Sequence, residues 1–319
     1  LRLISYLSLL LCLAAAGMSS AAPERYQYTE VHMGVQTRVV LWAEGPAVAE
    51  SAARAAFNRI EQLDSAMSDY RVDSELNRLS AKAGGPAMKI SRDLFAVLAL
   101  SCDLARRSSG AFDPTVGPLV RLWRTARRSG RLPEAAALKA ARAASGWRMM
   151  ILDAHARTAR LARPGMKLDL GGIAKGYACQ KAVQAVAQQG VRSCLVEMGG
   201  DVALGAAPPG ERGWRVEIPN APEPQRMQVL SNCAVSTSGD TEQYVEIGGK
   251  RYSHIVDPRT GTGLTSRIAV TVIAPDGGLS DSLSTAVSVL GEAQGRKLCT
   301  QFKGVRLFLT RARDAESGR

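Results

Sequence analysis

The sequence predicts one composite α/β body of the α+β kind, and three observations carry that expectation. Of the 319 residues, 46% are hydrophobic, enough to bury a core and too many for a disordered or collagen-like chain. Aromatic residues make up 5%, beside 30 glycines and 14 prolines, a balance that suits a protein rich in turns and argues against a coiled coil. Stretches with helical periodicity are interleaved with short alternating stretches, and no repeat, low-complexity tract or linker separates them. The expected organisation is a leader over 1–21 and one domain over 22–319.

The elements follow in chain order. Gln36 to Ala43 alternates and is β-branched, which predicts a strand. Ala47 to Met67 places Val48, Ala52, Ala56, Ile60 and Leu63 on one helical face. Ser91 is placed to cap a helix from Arg92 to Arg107, and Ser108-Ser109-Gly110 ends it. Pro133 to Ser145 reads as an alanine-rich helix, and Lys167 to Leu170 as a short strand. Gly171-Gly172 then leads into a helix from about Ile173 to Gln189. Strands are expected at Cys194–Met198, Trp214–Ile218, Val245–Ile247, Arg267–Ala274 and Val305–Leu309, with a helix from Ser280 to Leu290 before the last.

The amino terminus has the form of an export signal. Arg2 precedes an apolar run from Leu3 to Ala16, and small residues lead to Pro23. The run is shorter than the roughly 20 residues of a spanning helix, and Ser19 and Ala21 stand where cleavage after Ala21 needs small side chains. Bulky Leu11 directly before Cys12 argues against lipid attachment. The expected location is therefore exported and periplasmic. Lys plus Arg number 41 against 29 for Asp plus Glu, a formal +12. The arginines are scattered rather than gathered with aromatics, so no nucleic-acid surface is expected. Five cysteines remain in the mature chain, Cys102, Cys179, Cys194, Cys233 and Cys299, an odd, sparse set that is not a disulfide framework. Neither they nor His32, His155 and His254 have the spacing of zinc or iron–sulfur ligands.

Four segments could carry chemistry. Asp169-Leu170-Gly171-Gly172-Ile173-Ala174-Lys175-Gly176 joins a strand to a helix, where close backbone, unpaired N–H groups and Lys175 suit an anion. The residues alone leave a structural turn equally open. Asp281, Ser284 and Thr285 stand at i, i+3 and i+4, one carboxylate and two hydroxyls on a helical face, a hard-oxygen set that suits Mg2+. An ordinary N-terminal cap by Asp281 is the simpler reading of those residues. Ser236-Thr237-Ser238-Gly239-Asp240 and the stretch from His254 through Asp257-Pro258-Arg259-Thr260-Gly261 read as polar turns. Met67-Ser68-Asp69-Tyr70 and Ala111-Phe112-Asp113-Pro114-Thr115-Val116-Gly117 each set an aromatic beside small or acidic residues, either as core or as a platform for a planar ring.

Together with Ser74-Glu75-Leu76 and Glu197-Met198-Gly199-Gly200-Asp201, these segments, in this order from about Met33 to Leu290, resemble the ApbE family of FAD:protein FMN transferases. The resemblance implies a T-fold-like body that binds FAD as substrate, cleaves its pyrophosphate with Mg2+, and transfers FMN to a threonine or serine of an acceptor protein. It also implies residue roles. Tyr70 would stack on the isoalloxazine; Met33, Ala111, Phe112, Asp113, Asp169, Lys175 and Ile255 would line or contact the FAD site. Asp281, Thr285, Ser284 and the Gly172 carbonyl would hold the metal, and Asp281, Thr285 and His254 would serve catalysis. Gly171-Gly172 replaces hydroxyl residues that some members carry. An FAD pyrophosphatase releasing FMN and AMP, and a non-catalytic exported flavin-binding protein, are the competing readings. Peripheral contact with a membrane is compatible with all three; nucleic acid is not an expected partner.

Overall fold

The computed structural model describes residues 22–219, 221–239 and 244–311. The leader residues 1–21, Asp240 and the end of the chain after Arg311 lie outside the described residues. The chain runs β1 (Glu24–His32), β2 (Val35–Ala43), α1 (Pro46–Met67), α2 (Glu75–Ala81), β3 (Met88–Lys89), α3 (Arg92–Arg107), α4 (Gly117–Ser129) and α5 (Ala135–Ala143). It continues through β4 (Met150–Asp153), β5 (Thr158–Leu161), α6 (Ala174–Gln188), β6 (Cys194–Met198), β7 (Asp201–Leu204), β8 (Trp214–Glu217), β9 (Met227–Leu230) and β10 (Cys233–Gly239). Last come β11 (Tyr244–Ile247), β12 (Lys250–Ser253), β13 (Val256–Asp257), β14 (Thr262–Gly263), β15 (Ile268–Ala274), α7 (Gly277–Leu290), α8 (Glu292–Cys299) and β16 (Arg306–Arg311).

Seven strands form one sheet in the order β1-β2-β6-β7-β10-β15-β16, and every pair in it is antiparallel. Helices α1, α6 and α7 lie side by side on one face, α6 against β6 and β7 and α7 against β10 and β15. Their buried stripes, such as Ala52, Ala56, Ile60 and Leu63 of α1, close the main core with Val39, Leu41, Val196, Val270 and Val272 of the sheet. The opposite face carries a smaller cluster of Val40, Leu204, Trp214, Leu230, Val235 and Ile273, under the β8–β9 hairpin. A third cluster holds α4 to the β11–β14 region through Leu119, Trp123, Tyr252 and Val256.

Three expectations are corrected. Lys167–Leu170 is not a strand; its only ladder contact is an isolated parallel bridge from Lys167 to Val116. Ser236–Gly239 is no turn but the end of β10, because its hydroxyls find partners: Ser236 Oγ lies 2.8 Å from Ser280 Oγ, Thr237 Oγ1 2.9 Å from Thr271 Oγ1, and Ser238 Oγ 2.6 Å from Ser284 Oγ. Helix α7 starts at Gly277 rather than Ser280, and Asp276 caps it by accepting from the Leu279 N–H at 3.0 Å.

Candidate active site

The site lies where α6 and α7 begin against one end of the sheet. Gly176 and Gly277 bring these helices into backbone contact: a Cβ on Gly176 would stand 2.1 Å from the Gly277 carbonyl oxygen, and one on Gly277 equally close to that of Gly176. That approach sets Asp281 beside the first turn of α6, and its Oδ2 accepts from the Gly176 N–H at 3.0 Å. The capping reading of Asp281 is thereby corrected: its own helix is capped by Asp276, and Asp281 satisfies an open N–H of the other helix. Gly172 packs on the same helix, since a Cβ there would meet Thr285 Oγ1 at 2.8 Å.

Lys175 closes the cluster. Its Nζ donates to Asp201 Oδ2 at 2.7 Å and lies 3.8 Å from Asp281 Oδ2. Asp201 is the first residue of β7, placed by the two-residue turn Gly199-Gly200, whose φ values of 53° and 91° match the left-handed pair a tight hairpin requires. Both carboxylates are 3% exposed. Burial works against the Lys175 ammonium, but Asp201 and Asp281 outweigh it and hold its pKa above the ordinary lysine value. Burial, and then the charge of Asp201, push the Asp281 carboxyl up to about 7 against the pull of Lys175 and the Gly176 N–H. Two carboxylates share one ammonium, so the pocket is short of positive charge. A divalent cation fits that shortage, and the donors at hand are hard oxygens: Asp281, Thr285 and the Gly172 backbone. Ser284 is buried, with its hydroxyl between Ser238 Oγ at 2.6 Å and the Asp281 carbonyl at 2.8 Å. Among the described residues, no three His, Cys, Asp or Glu side chains converge as a metal set.

A second group of residues forms around Tyr70, which is 75% exposed. The loop that carries it is held from below by Asn77, whose Nδ2 donates to the Asp69 carbonyl at 3.1 Å and the Arg71 carbonyl at 2.7 Å. Ser74 caps α2 by accepting from the Asn77 N–H, so the Ser74-Glu75-Leu76 segment fixes this frame. Arg124 of α4 lies under the Tyr70 ring, 4.5 Å from its centroid, and bonds both Asp69 and Asp169. Asp169 Oδ1 also accepts from the Gly171 N–H at 2.9 Å, which shapes the turn into Gly172.

The remaining predicted residues frame these two groups. Ala111 and Phe112 are buried, and the Asp113 carboxylate is turned into its own loop, accepting from Thr115 N at 2.8 Å, Thr115 Oγ1 at 2.6 Å and Trp147 N at 3.0 Å. Burial pushes its pKa up despite those bonds. The loop abuts Asp169, whose N–H donates to the Pro114 carbonyl at 2.9 Å. Met33, with φ of 50°, forms the β1–β2 turn with Gly34. It stands at the same end of the sheet as Gly199, where a Cβ would meet Val35 at 3.2 Å. His254 and Ile255 are half-buried in the connection from β12 to β13. The Ile255 N–H donates to Ser253 Oγ at 3.1 Å. This region is tied to α4 because Trp123 Nε1 donates to the Gly261 carbonyl at 2.8 Å.

Comparison with known proteins agrees with this architecture. The family model described as "ApbE family" matches residues 33–309. The chain belongs to the ApbE family. A protein of Treponema pallidum named FAD:protein FMN transferase is 33% identical over 95% of this chain and 89% of its own length. A Klebsiella pneumoniae protein of the same name is 31% identical over 91% and 90%. Among solved structures, the apo flavinyl transferase ApbE of Pseudomonas stutzeri superposes with a TM-score of 0.80 at 32% identity, covering 93% of this chain and 94% of that one. The flavin transferase ApbE of Vibrio cholerae gives 0.79 at 27%, covering 92% and 98%.

Two residues of this family member were given no role from the sequence. Asp201 stands in a quoted motif, but nothing in its spacing shows that it meets Lys175, 26 positions earlier. Arg124 belongs to α4, 54 positions after Tyr70, and only the fold brings the two together.

Proposed function

We propose that this chain is a Mg2+-dependent flavin transferase, which cleaves FAD and joins FMN through a phosphoester to a threonine or serine of an exported or membrane acceptor protein. The observation that carries the reading is the cluster of Asp201, Asp281 and Lys175 at two meeting helix starts, with an exposed aromatic ring resting on Arg124, which bonds the Asp169 turn leading into α6. The names of the curated relatives support FAD as the donor.

In this reading the acceptor hydroxyl oxygen forms a new bond to the FMN-side phosphorus. The bond from that phosphorus to the bridging oxygen breaks, and AMP leaves with that oxygen. The hydroxyl proton passes to His254, which would act as the general base. Tyr70 receives the flavin ring, while the Lys175 ammonium faces the pyrophosphate. Asp281, Thr285 and the Gly172 carbonyl would hold Mg2+, which supplies charge neutralisation for the pyrophosphate, with the Ser284 hydroxyl, already bonded to Ser238 and the Asp281 carbonyl, beside them. The apolar run from Leu3 to Ala16 and the small residues before Ala22 support a periplasmic location with cleavage near Ala21, and N-terminal sequencing of the mature protein tests that part.

The deciding experiment incubates the protein with FAD, Mg2+ and a candidate acceptor, followed by in-gel flavin fluorescence and assay of AMP. The expected result is a fluorescent acceptor band that survives denaturation, with AMP formed in equal amount. AMP and free FMN without a labelled band would favour the pyrophosphatase reading, and binding of FAD without turnover would favour the non-catalytic one.

A further inference from the structure

We infer that Arg124 is a positioning residue for the flavin ring: its guanidinium, fixed between Asp69 and Asp169, is the floor on which Tyr70 rests. The inference rests on the proposed flavin site and assigns a task within it. Tyr70 is 75% exposed, so burial does not choose its rotamer, and an unrestrained side chain would have to be ordered when a ligand binds. The structure supplies a restraint from one side only. The Arg124 carbon Cζ sits 4.5 Å from the ring centroid, a cation–π contact that favours one placement of the ring and leaves the other face for a planar ligand. Arg124 can serve as a floor because it is fixed itself. Its side chain is 22% exposed, Nη1 bonds Asp69 Oδ2, and Nη2 donates to Asp169 Oδ2 at 3.1 Å.

The two carboxylates come from different parts of the site. Asp69 precedes Tyr70 in the chain, whereas Asp169 shapes the turn that leads through Gly172 to Thr285. Arg124 therefore sets the distance between the aromatic platform and the glycine loop. A planar fork that bonds two carboxylates and also stacks is specific to arginine. Lysine keeps the charge but offers neither the fork nor the flat face.

The test measures FAD affinity by fluorescence titration for wild type, Arg124→Lys, Tyr70→Leu and the double variant, with melting temperatures recorded for each. Arg124→Lys is expected to raise the dissociation constant about five-fold and KM in proportion, with kcat little changed. In the Tyr70→Leu background the same substitution should add nothing, since the ring it positions is gone. Wild-type affinity in Arg124→Lys, or two effects that simply multiply, would overturn the inference. If Arg124→Lys does not fold, Arg124→Gln combined with Asp69→Asn removes the guanidinium and leaves Asp169 as the one unpaired carboxylate, and the same comparison applies. A wild-type protein that binds no FAD would instead defeat the underlying site reading.

Discussion

Where α6 meets α7 the site is held by backbone against backbone, whereas around Tyr70 it is held by side-chain charge. At the first place Gly176 and Gly277 leave no room for a Cβ, and the hydroxyls of Ser280 and Ser284 fasten α7 to Ser236 and Ser238 of β10. At the second, an exposed ring rests on one guanidinium between two carboxylates. Close-packed backbone has no soft degree of freedom, so the α6–α7 junction keeps its spacing with or without ligand. The charge-held end can reorder at modest cost. In the proposed reading, pyrophosphate cleavage needs fixed positions for several oxygens while ring recognition tolerates adjustment, which would match the rigid junction to the first task and the charge-held end to the second.

The largest effect should follow from forcing the rigid junction apart. Gly176→Ala would place a methyl 2.6 Å from Asp281 Cβ and 2.1 Å from the Gly277 carbonyl oxygen. It is expected to cost about 3 kcal/mol by overpacking and to abolish transfer, as urea unfolding and in-gel flavinylation would show. Near-native stability with full activity would mean that the helices slide freely.

Next in size is Asp281→Asn. The amide oxygen can still accept from the Gly176 N–H, so the junction should survive, but the anionic ligand is lost. Transfer and FAD cleavage should fall together by about 100-fold or more, beyond the usual loss for groups that only support a ligand. Retained transfer at saturating Mg2+ would leave Asp281 as a cap of α6 and nothing else.

The same carboxyl makes a statement about pH. Its pKa stands raised from 3.8 to about 7 by burial and by Asp201, so the folded protein holds this proton more tightly than the unfolded chain. The stability it contributes is complete below the unfolded value and is lost as pH rises through about 7. Without metal, the melting temperature of wild type should fall between roughly pH 4 and pH 7 more steeply than that of Asp281→Asn. Parallel profiles would remove Asp281 as the source. Smallest is the change at the adaptable end: Tyr70→Ala should weaken FAD binding about ten-fold by titration, and Tyr70→Phe hardly at all. Equal affinities would put the ring elsewhere.

The rigid end was largely legible in the sequence. The strand Cys194–Met198 matches β6, the capped helix Arg92–Arg107 matches α3 with Leu94 N donating to Ser91 Oγ, and α6 differs by one residue at each end. These segments announce themselves because their apolar residues recur at one period and end in glycine or a cap. The end of β10 was hidden because its polar side chains look like a turn until their partners on α7 and β15 are known. Helix α4 carries a helical signal of its own, with buried Leu119, Trp123 and Ala126 spaced by four and three opposite Arg121, Arg124, Arg127 and Arg128; what its sequence does not show is which loop its arginines reach. The strand β1 is an edge with little buried surface, so its alternation carries no signal. Helical order could be read where one core dictates it; the contacts of Arg124 and Asp201 depend on segments far apart in the chain.

The thiols of the described residues bear on how this chain matures. All five cysteines there are free, and Cys179, Cys194 and Cys299 are buried. Burial pushes Cys194 up to about 12 and Cys299 up to about 11, so neither supplies the thiolate that oxidants and mixed-disulfide partners attack. Cys179, which lies against the Asp201 carbonyl at 3.7 Å, is silenced in the same way. The described fold is therefore held without a disulfide, by its apolar clusters together with the hydroxyl pairs and ion pairs that fasten α7 and Arg124.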